Sequence, residues 1–313
     1  MTAAAVSRLG SASAGAGAPA AVDDRWSCWL LDRRYGGDPD RRRARANHFR
    51  AAADRILAHA TLGDGDVLLD VGCGEGLIAF AALEQVGRNA RVILSDVSQP
   101  LLDRCRATAT TRGVLDRCRF VRAPAEDLGD IPSASVDVIT TRSVLIYVAD
   151  KQRAFDEFHR VLKLGGRLSI CEPIARFFGF PPPPHLFGWQ TLYDVTPIME
   201  IAAKVQAVYA QVRSPESPMM GFDERDLVAF AEAAGFDDIR LRMHVEIRHA
   251  RPLPNWDATW RRAPNPLAPT LAEAVQAALP QEEAKEFVAH LRPLVERGQG
   301  QKRSAVAYLR AVR

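Results

Sequence analysis

The chain has 313 residues, of which 47% are hydrophobic and 25% are charged, and its formal net charge at pH 7 is +3. These proportions are ordinary for a globular protein that is large enough to bury a substantial core. No apolar run approaches the roughly 20 residues that a membrane span needs, and the net charge is too small to indicate a nucleic-acid-binding protein.

The N-terminal part of the sequence predicts a tail followed by a helical cap. Residues 1–22 are rich in Ala, Gly and Ser and lack the compact apolar run of a signal peptide, so we expect a disordered tail. Residues 23–60 carry apolar side chains at three- and four-residue spacing, interrupted at 36–39, and predict helices. The arginine-rich stretch 33–50 is expected to form a solvated helix face, with a phosphate-contacting surface as the alternative.

Predicted strands and helices alternate through the middle of the chain. The strands fall at 67–71, 91–95, 118–122, 136–140 and 167–171, and the helices at 77–86, 100–111 and 151–163. Gly165 and Gly166 are expected to stop the last of these helices. A helix at 223–234, a strand at 239–249 and a final strand at 304–312 complete the pattern. Such alternation predicts a mainly parallel sheet that is covered by helices on both faces.

Two insertions interrupt this pattern within a domain that is predicted to span residues 61–313. Residues 174–222 are rich in aromatic residues and proline, and residues 250–303 open with prolines before two helices at 271–278 and 281–296. Segments of this length and composition are typical of lids and substrate-binding insertions, and they predict an apolar or aromatic ligand. Packing on the sheet or on a second subunit of a homodimer is the alternative.

The motif that carries chemistry is Val-Leu-Leu-Asp-Val-Gly-Cys-Gly-Glu-Gly at residues 67–76. A buried strand leads into a turn at Gly72, Gly74 and Gly76, where the missing Cβ atoms let the backbone approach a ligand. The next helix begins at this turn with free N–H groups. Asp96 follows at the end of the next predicted strand, where a carboxylate can accept both hydroxyl hydrogens of a ribose. The motif therefore predicts a nucleotide-type cofactor.

Spacing and charge distinguish two classes of cofactor. A dinucleotide site prefers G-x-G-x-x-G, which sets a pyrophosphate on the helix N-terminus. Here the spacing is G-x-G-x-G, and the acids Asp70 and Glu75 flank the glycines. Carboxylates would repel a pyrophosphate but suit a ligand that carries an ammonium and a sulfonium. This comparison favours S-adenosylmethionine over NAD.

With these motifs the chain resembles the class I S-adenosylmethionine-dependent methyltransferases, of the type that includes ubiquinone/menaquinone and small-molecule methyltransferases. The resemblance is close over about residues 62–173. It implies a Rossmann-like, doubly wound α/β fold, with a mainly parallel seven-stranded sheet, an antiparallel C-terminal strand and helical lid insertions. It also implies methyl transfer to a small molecule, with O- or C-methylation favoured. The residues that it implies for cofactor binding are Asp70, Gly72, Cys73, Gly74, Gly76, Asp96, Val97, Ala125, Glu126, Thr141 and Arg142.

The sequence departs from the family pattern in the segment that contacts adenine. The family commonly has an acid directly before the alanine that matches Ala125, and this chain has Pro124 there. Glu126, Asp127 or backbone groups are therefore expected to hold the adenine amino group instead.

Three residues are candidates for a catalytic role. Glu172 ends the fifth predicted strand and is expected to border the acceptor site, with capping of a neighbouring turn as the alternative. His185, in the aromatic insertion, is a candidate base, although a lone loop histidine is more often a surface residue. Tyr147 is expected either to face the acceptor or to pack under the helix that follows it.

Other functions remain open at this stage. A nucleic-acid amino-methyltransferase would carry Asn/Asp-Pro-Pro-aromatic after the fourth strand, where this chain has Thr-Arg-Ser-Val. An arsenite methyltransferase would need several cysteines at the site, where Cys73 and Cys171 are expected. An NAD(P) oxidoreductase and a non-catalytic cofactor-binding partner are the remaining classes. The five scattered cysteines predict no metal site and no disulfides, and they fit a reducing cytoplasm.

Overall fold

The structure, a computed structural model, describes residues 24–178 and 182–313, without the side chains of Asn47 and His48. The helices are α1 Arg25–Cys28, α2 Pro39–Ala60, α3 Leu77–Gln85, α4 Gln99–Thr111, α5 Lys151–Val161, α6 Met199–Ala210, α7 Glu224–Ala233, α8 Trp256–Trp260, α9 Leu271–Ala278 and α10 Gln281–Arg297. The strands are β1 Val67–Val71, β2 Arg91–Asp96, β3 Cys118–Arg122, β4 Val136–Arg142, β5 Leu162–Pro173, β6 Leu186–Gly188, β7 Thr191–Asp194, β8 Asp237–His249 and β9 Gly300–Val312. The predicted tail at 1–22 lies outside the described residues.

One mixed sheet forms the centre of the fold. Its order is β3-β2-β1-β4-β5-β9, and β8 pairs with the other edge of β9. The first five strands run parallel, whereas β9 is antiparallel to both β5 and β8. A short hairpin, β6–β7, pairs with the first residues of β9. The predicted α/β fold is confirmed, but the described residues form nine strands rather than seven because the hairpin adds two.

Helices cover both faces of this sheet. Consecutive residues of β1, Leu68 and Leu69, are both fully buried and belong to different apolar cores. Leu68 packs in the core that contains Ile56 and Leu57 of α2, and Leu69 in the core that contains Phe155 of α5. Successive strand side chains point to opposite faces, so a strand this apolar must be covered on both sides. Each fully buried leucine contributes roughly 1.5–3 kcal/mol to folding.

The predicted glycine stop of the helix before β5 is wrong. Helix α5 ends at Val161, and β5 starts at Leu162, which pairs with Val136 of β4. Pairing with the sheet therefore ends the helix before the glycines are reached. Gly165 instead adopts φ 75° within the strand, and its N–H donates to the carbonyl of Arg313.

The two insertions pack together in a third apolar core. Phe187 and Tyr209 come from the first insertion, and Phe287, Leu291 and Val295 of α10 come from the second. The ring centroids of Phe187 and Phe287 lie 5.1 Å apart in an edge-to-face contact. The insertions, separate in sequence, thus form one helical layer beside the sheet.

The arginine-rich stretch is only partly the solvated helix face that the sequence predicted: Arg43 and Arg50 are exposed, but other arginines are covered. Arg34, Arg41 and Arg45 are half-buried, because α8 and the loop after it pack over this part of the chain: Arg41 donates to Thr259 Oγ1 at 2.9 Å, and the side chain of Trp29 donates to the carbonyl of Ala263 at 3.1 Å. None of the helices in the described ranges combines the length and hydropathy needed to cross a membrane.

Candidate active site

The glycine turn between β1 and α3 is built for close approach. Gly72, Gly74 and Gly76 have φ of 63°, 55° and 77°, a region that residues with a Cβ rarely adopt. A Cβ on Gly72 would overlap the side chain of Val144, and one on Gly76 would overlap the ring of Phe80. Only glycine fits these positions, so the backbone itself forms the floor of the cavity above it.

Asp96 is fixed at the end of β2 by two backbone donors. Its Oδ2 accepts from the N–H of Gly74 and its Oδ1 from the N–H of Ser98, both at 2.9 Å. Burial raises the pKa of Asp96, and these two hydrogen bonds oppose the rise. Ser98 in turn donates to the carboxylate of Asp24, which ties the N-terminal segment to this side of the site.

Asp70 and Glu75 have different environments. Asp70 is 2% exposed and accepts from Thr140 Oγ1 at 3.0 Å and from the N–H of Ala79 at 3.3 Å; burial raises its pKa to about 7. Glu75 forms ion pairs with Arg42 at 2.5 Å and with Arg104 at 3.0 Å. The repulsion of a pyrophosphate that the sequence suggested is therefore weakened at Glu75, whose charge is already compensated.

A cavity of about 660 Å³ lies over this turn and forms the first of two adjoining cavities. Its walls are the glycine turn, Asp96 with Val97, residues 123–126, residues 142–144 with 147–148, and the N-terminal segment with Trp26, Trp29 and Leu30. Trp26 packs edge-to-face on Tyr147, with ring centroids 5.1 Å apart. The N-terminal segment thus covers a deep, partly apolar space.

The part of the first cavity formed by the segment that the sequence predicts to contact adenine has an acid despite Pro124. Pro124, Ala125 and Glu126 all line it, whereas Asp127 does not. The carboxylate of Glu126 forms no hydrogen bond or ion pair with any described residue. The backbone carbonyl of Glu126 accepts a hydrogen bond from the side chain of Arg153 at 2.9 Å. Glu126 is therefore available to a ligand in a way that Asp127 is not.

A second cavity, of about 480 Å³, adjoins the first. The described residues that line both cavities, here called the junction, are Arg34, Phe49, Arg142 and Ser143. The guanidinium carbons of Arg34 and Arg142 lie 4.5 and 4.6 Å from the centre of the Phe49 ring. Ser143 has φ 58°, a strained value for serine, and its N–H donates to the carbonyl of Cys171 at 2.9 Å.

Comparisons with known proteins agree with this geometry. Residues 69–170 match the methyltransferase domain family. The ubiquinone/menaquinone biosynthesis C-methyltransferase UbiE of Francisella tularensis subsp. novicida is 35% identical over 118 residues, which cover 38% of this chain and 47% of that protein. The nocamycin O-methyltransferase of Saccharothrix syringae is 30% identical over 225 residues, or 68% of this chain and 74% of that protein.

The chain belongs to the class I S-adenosylmethionine-dependent methyltransferases. The match spans about half the length of the UbiE relatives. A solved structure described as a putative methyltransferase of Bacillus halodurans C-125 has the same fold, with a TM-score of 0.52 and 18% identity over 84% of this chain and 98% of that one. S-adenosylmethionine is the cofactor, as membership of this family indicates.

The structure of this methyltransferase brings most of the predicted cofactor residues together. Those that line the first cavity are Asp70, Gly72, Cys73, Gly74, Gly76, Asp96, Val97, Ala125, Glu126 and Arg142. Thr141 does not: its side chain is fully buried in the sheet, with a hydroxyl that has no partner among the described residues. Alternation along β4 places Arg142, but not Thr141, at the cavity.

Two of the three catalytic candidates lie away from both cavities. Glu172 is fully buried, and its carboxylate accepts the N–H groups of Val144, Leu145 and Ile146 at 2.8, 3.2 and 3.2 Å; it caps the turn after β4, which was the alternative interpretation. His185 is exposed and lines neither cavity. Only Tyr147 lines the first cavity, and burial raises the pKa of its phenol well above the ordinary value.

The cysteines are not arranged as a metal site. Cys73 lines the first cavity and Cys171 the second, and the described residues contain no group of histidine, cysteine and acidic side chains that could hold a metal ion. This arrangement does not favour an arsenite methyltransferase.

Sequence reasoning missed the junction and the N-terminal wall. Trp26, Trp29 and Leu30 belong to the apolar pattern that predicts helices over residues 23–60. That pattern does not distinguish side chains that face the core from side chains that face a ligand. The tryptophans were the available signal, because a short N-terminal helix rarely needs two of them for packing alone.

Proposed function

We propose that the protein transfers the methyl group of S-adenosylmethionine to a small organic acceptor that binds in the second cavity. The observation that carries this proposal is the junction: the two cavities meet at Arg34, Phe49, Arg142 and Ser143. A transfer enzyme needs two bound reactants whose reacting atoms face each other within one enclosed space. A protein that only binds the cofactor would not need the second cavity.

The residues of the first cavity suit the cofactor part by part. Bound S-adenosylmethionine supplies an electrophilic methyl group on a sulfonium. Asp96, already oriented by two N–H groups, would accept the ribose hydroxyls. Glu126 would accept from the adenine amino group, and the guanidinium groups of Arg34 and Arg142 would bind the methionine carboxylate.

The chain's own residues at the junction position and desolvate rather than abstract protons. Tyr147 keeps its proton at neutral pH, because burial raises its pKa. Glu172 is occupied by three N–H groups, and His185 is on the surface. No base is present among the described residues that line both cavities, and His244 lines the second cavity alone. At the junction itself an acceptor that is ionised without help fits best, which favours an acidic oxygen or an activated carbon as the nucleophile.

Of these two, methylation of oxygen is our first choice. The relative with the longer match is named an O-methyltransferase, whereas the UbiE relatives, named C-methyltransferases, match over a shorter segment. The acceptor is a metabolite rather than a nucleic acid in this proposal, because the second cavity, of about 480 Å³, lies between α2, the sheet and the first insertion. Five free cysteines fit a cytoplasmic protein.

Titration calorimetry tests the proposal directly. The full chain should bind S-adenosylhomocysteine and ignore NADH. Asp96→Ala should weaken that binding about a hundredfold, because it removes two charge-assisted hydrogen bonds, whereas Asp116→Ala, an exposed aspartate remote from both cavities, should bind normally. Binding of NADH without binding of S-adenosylhomocysteine would refute the proposal.

A further inference from the structure

We propose that the second cavity holds its methyl acceptor by an anionic group, a carboxylate or a phosphate, so that the substrate is an organic acid with an apolar body. The assignment of this ligand as the acceptor rests on the proposed function; the binding of an anion does not. The composition and pairing of the charges that line the cavity lead to this inference.

Positive charge dominates the wall of the second cavity. The cationic side chains among its described lining residues are Arg34, Arg45, Arg55, Arg142, Arg213, Lys302 and Arg303. The same lining contains one carboxylate, Glu246. That carboxylate is already shared by Arg248 at 3.1 Å and Lys302 at 3.6 Å, so it does not compensate the arginines.

Three of these arginines are held close together around one aromatic ring. The guanidinium carbons of Arg34, Arg142 and Arg45 lie 4.5, 4.6 and 5.4 Å from the centre of the Phe49 ring. Burial, together with the charges of Arg142 and Arg45, lowers the pKa of Arg34 to about 10. None of the three forms an ion pair with a carboxylate in the described part of the chain. Partly buried like charges cost free energy unless a counter-charge joins them.

The carboxylate of the cofactor does not explain this excess. Only Arg34 and Arg142 line both cavities, whereas Arg45, Arg55 and Arg303 line the second alone. The first cavity balances its own remaining cations: its other arginines pair with Glu75 and Glu84, as Arg42–Glu75, Arg104–Glu75, Arg50–Glu84 and Arg112–Glu84. Cations that the cofactor cannot reach therefore remain for a second anion.

The apolar residues that line the second cavity indicate that the rest of the ligand is apolar. Phe178, Trp189 and Met219 contribute apolar surface, with Pro182 and Pro183 beside them. The guanidinium carbon of Arg303 lies 5.8 Å from the centre of the Phe178 ring. A charged and an apolar side chain are therefore neighbours on this wall of the cavity. The apolar or aromatic acceptor predicted from the sequence thus describes only part of this cavity.

Matched probes separate the two contributions. Naphthoate and naphthyl phosphate carry the two anions on one aromatic body, and naphthamide is the neutral analogue. Each is titrated by calorimetry into the full chain saturated with S-adenosylhomocysteine. We expect both anions, or one of them, to bind about tenfold or more tightly than naphthamide, and their binding to weaken as salt is added. The anion that binds more tightly identifies the source of the charge.

Variants then locate the anion. Arg45→Gln and Arg303→Gln should each weaken the preferred anionic probe about tenfold while leaving naphthamide binding unchanged. Arg88→Gln, at an exposed arginine remote from both cavities, should leave both unchanged. Normal binding of S-adenosylhomocysteine by every variant shows that each is folded, since neither Arg45 nor Arg303 lines the first cavity.

Two results would overturn the inference. One is equal affinity for naphthamide and both anions. The other is anion binding that Arg45→Gln and Arg303→Gln do not weaken. Neither outcome bears on whether the wild-type chain binds S-adenosylhomocysteine, so failure of this inference is distinguishable from failure of the proposed function.

Discussion

Replacing Glu172 with alanine removes the carboxylate that caps the turn after β4. Three backbone N–H groups, of Val144, Leu145 and Ile146, would lose their acceptor, and the turn is at most half-exposed. An unpaired buried N–H costs about 1–3 kcal/mol. Burial of the Glu172 carboxylate is itself unfavourable, as its pKa of about 7 indicates. Alanine removes this buried charge, so part of the loss of stability is offset. We expect a net destabilisation of about 3 kcal/mol.

The assay is equilibrium unfolding in urea, monitored by circular dichroism, which gives the free energy of unfolding. In a chain of this size about 3 kcal/mol also corresponds to a fall of roughly 5 °C in the melting temperature. Glu216→Ala is the matched control, because that glutamate is exposed and forms no hydrogen bond with a described residue. Glu172→Ala should also weaken the binding of S-adenosylhomocysteine, since Val144 and Tyr147 belong to the turn that Glu172 caps and line the first cavity.

Glu172→Gln separates capping from catalysis. Glutamine keeps the shape and one acceptor oxygen, so a capping residue should lose part of its stabilising effect and little turnover. A general base would lose roughly a hundredfold or more in kcat with unchanged stability. Wild-type stability in both variants, together with such a loss of kcat, would show that our structural assignment of Glu172 is wrong.

Three further predictions follow from the same geometry. Gly72→Ala should abolish detectable S-adenosylhomocysteine binding in calorimetry, because its Cβ would overlap Val144, whereas Gly113→Ala, with a similar φ of 66° and open space around it, should cost only about 1 kcal/mol in urea unfolding. Ser143→Gly should raise the unfolding free energy by about 1 kcal/mol in urea unfolding through relief of the left-handed strain; an unchanged or lower unfolding free energy would contradict this expectation. Folding raises the pKa of Glu172 from 4.5 to about 7, so the stability that this pKa shift contributes is present below pH 4.5 and is lost as the pH rises to about 7. Between these pH values the free energy of unfolding should fall by about 1.4 kcal/mol per pH unit. Urea unfolding across this pH range should show a smaller fall for Glu172→Gln.

The strands outside the β6–β7 hairpin could be predicted because each has a local sequence pattern. Val67–Val71 and Arg91–Asp96 are short apolar runs between turn residues, and alternation with amphipathic helices implies parallel pairing. The start of β5 could not be predicted in this way. Leu162 continues the apolar pattern of α5, and only its pairing with Val136, which is distant in sequence, decides that it is a strand residue.

The same distinction separates the two cavities. The cofactor residues lie in one segment after each strand, so their spacing is a signal in the sequence. The cations of the second cavity come from α2, from the end of β4 and from β9, as Arg45, Arg142 and Arg303. No local pattern joins them, and a charged side chain on a helix is in most cases solvated. Only the folded chain shows that these arginines face one space.

The N-terminal cap and the two insertions, which in our proposal choose the acceptor, are joined to one another. The N-terminal segment is fastened to the second insertion by Trp29, whose side chain donates to the carbonyl of Ala263, and by the N–H of Ala263, which donates to the carbonyl of Arg33. The second insertion shares an apolar core with the first. Since cap and insertions form one connected layer over a sheet that binds the cofactor, the layer can change while the sheet is kept. This division is consistent with a family match that covers residues 69–170, which include the glycine turn and Asp96 but neither the cap nor the insertions.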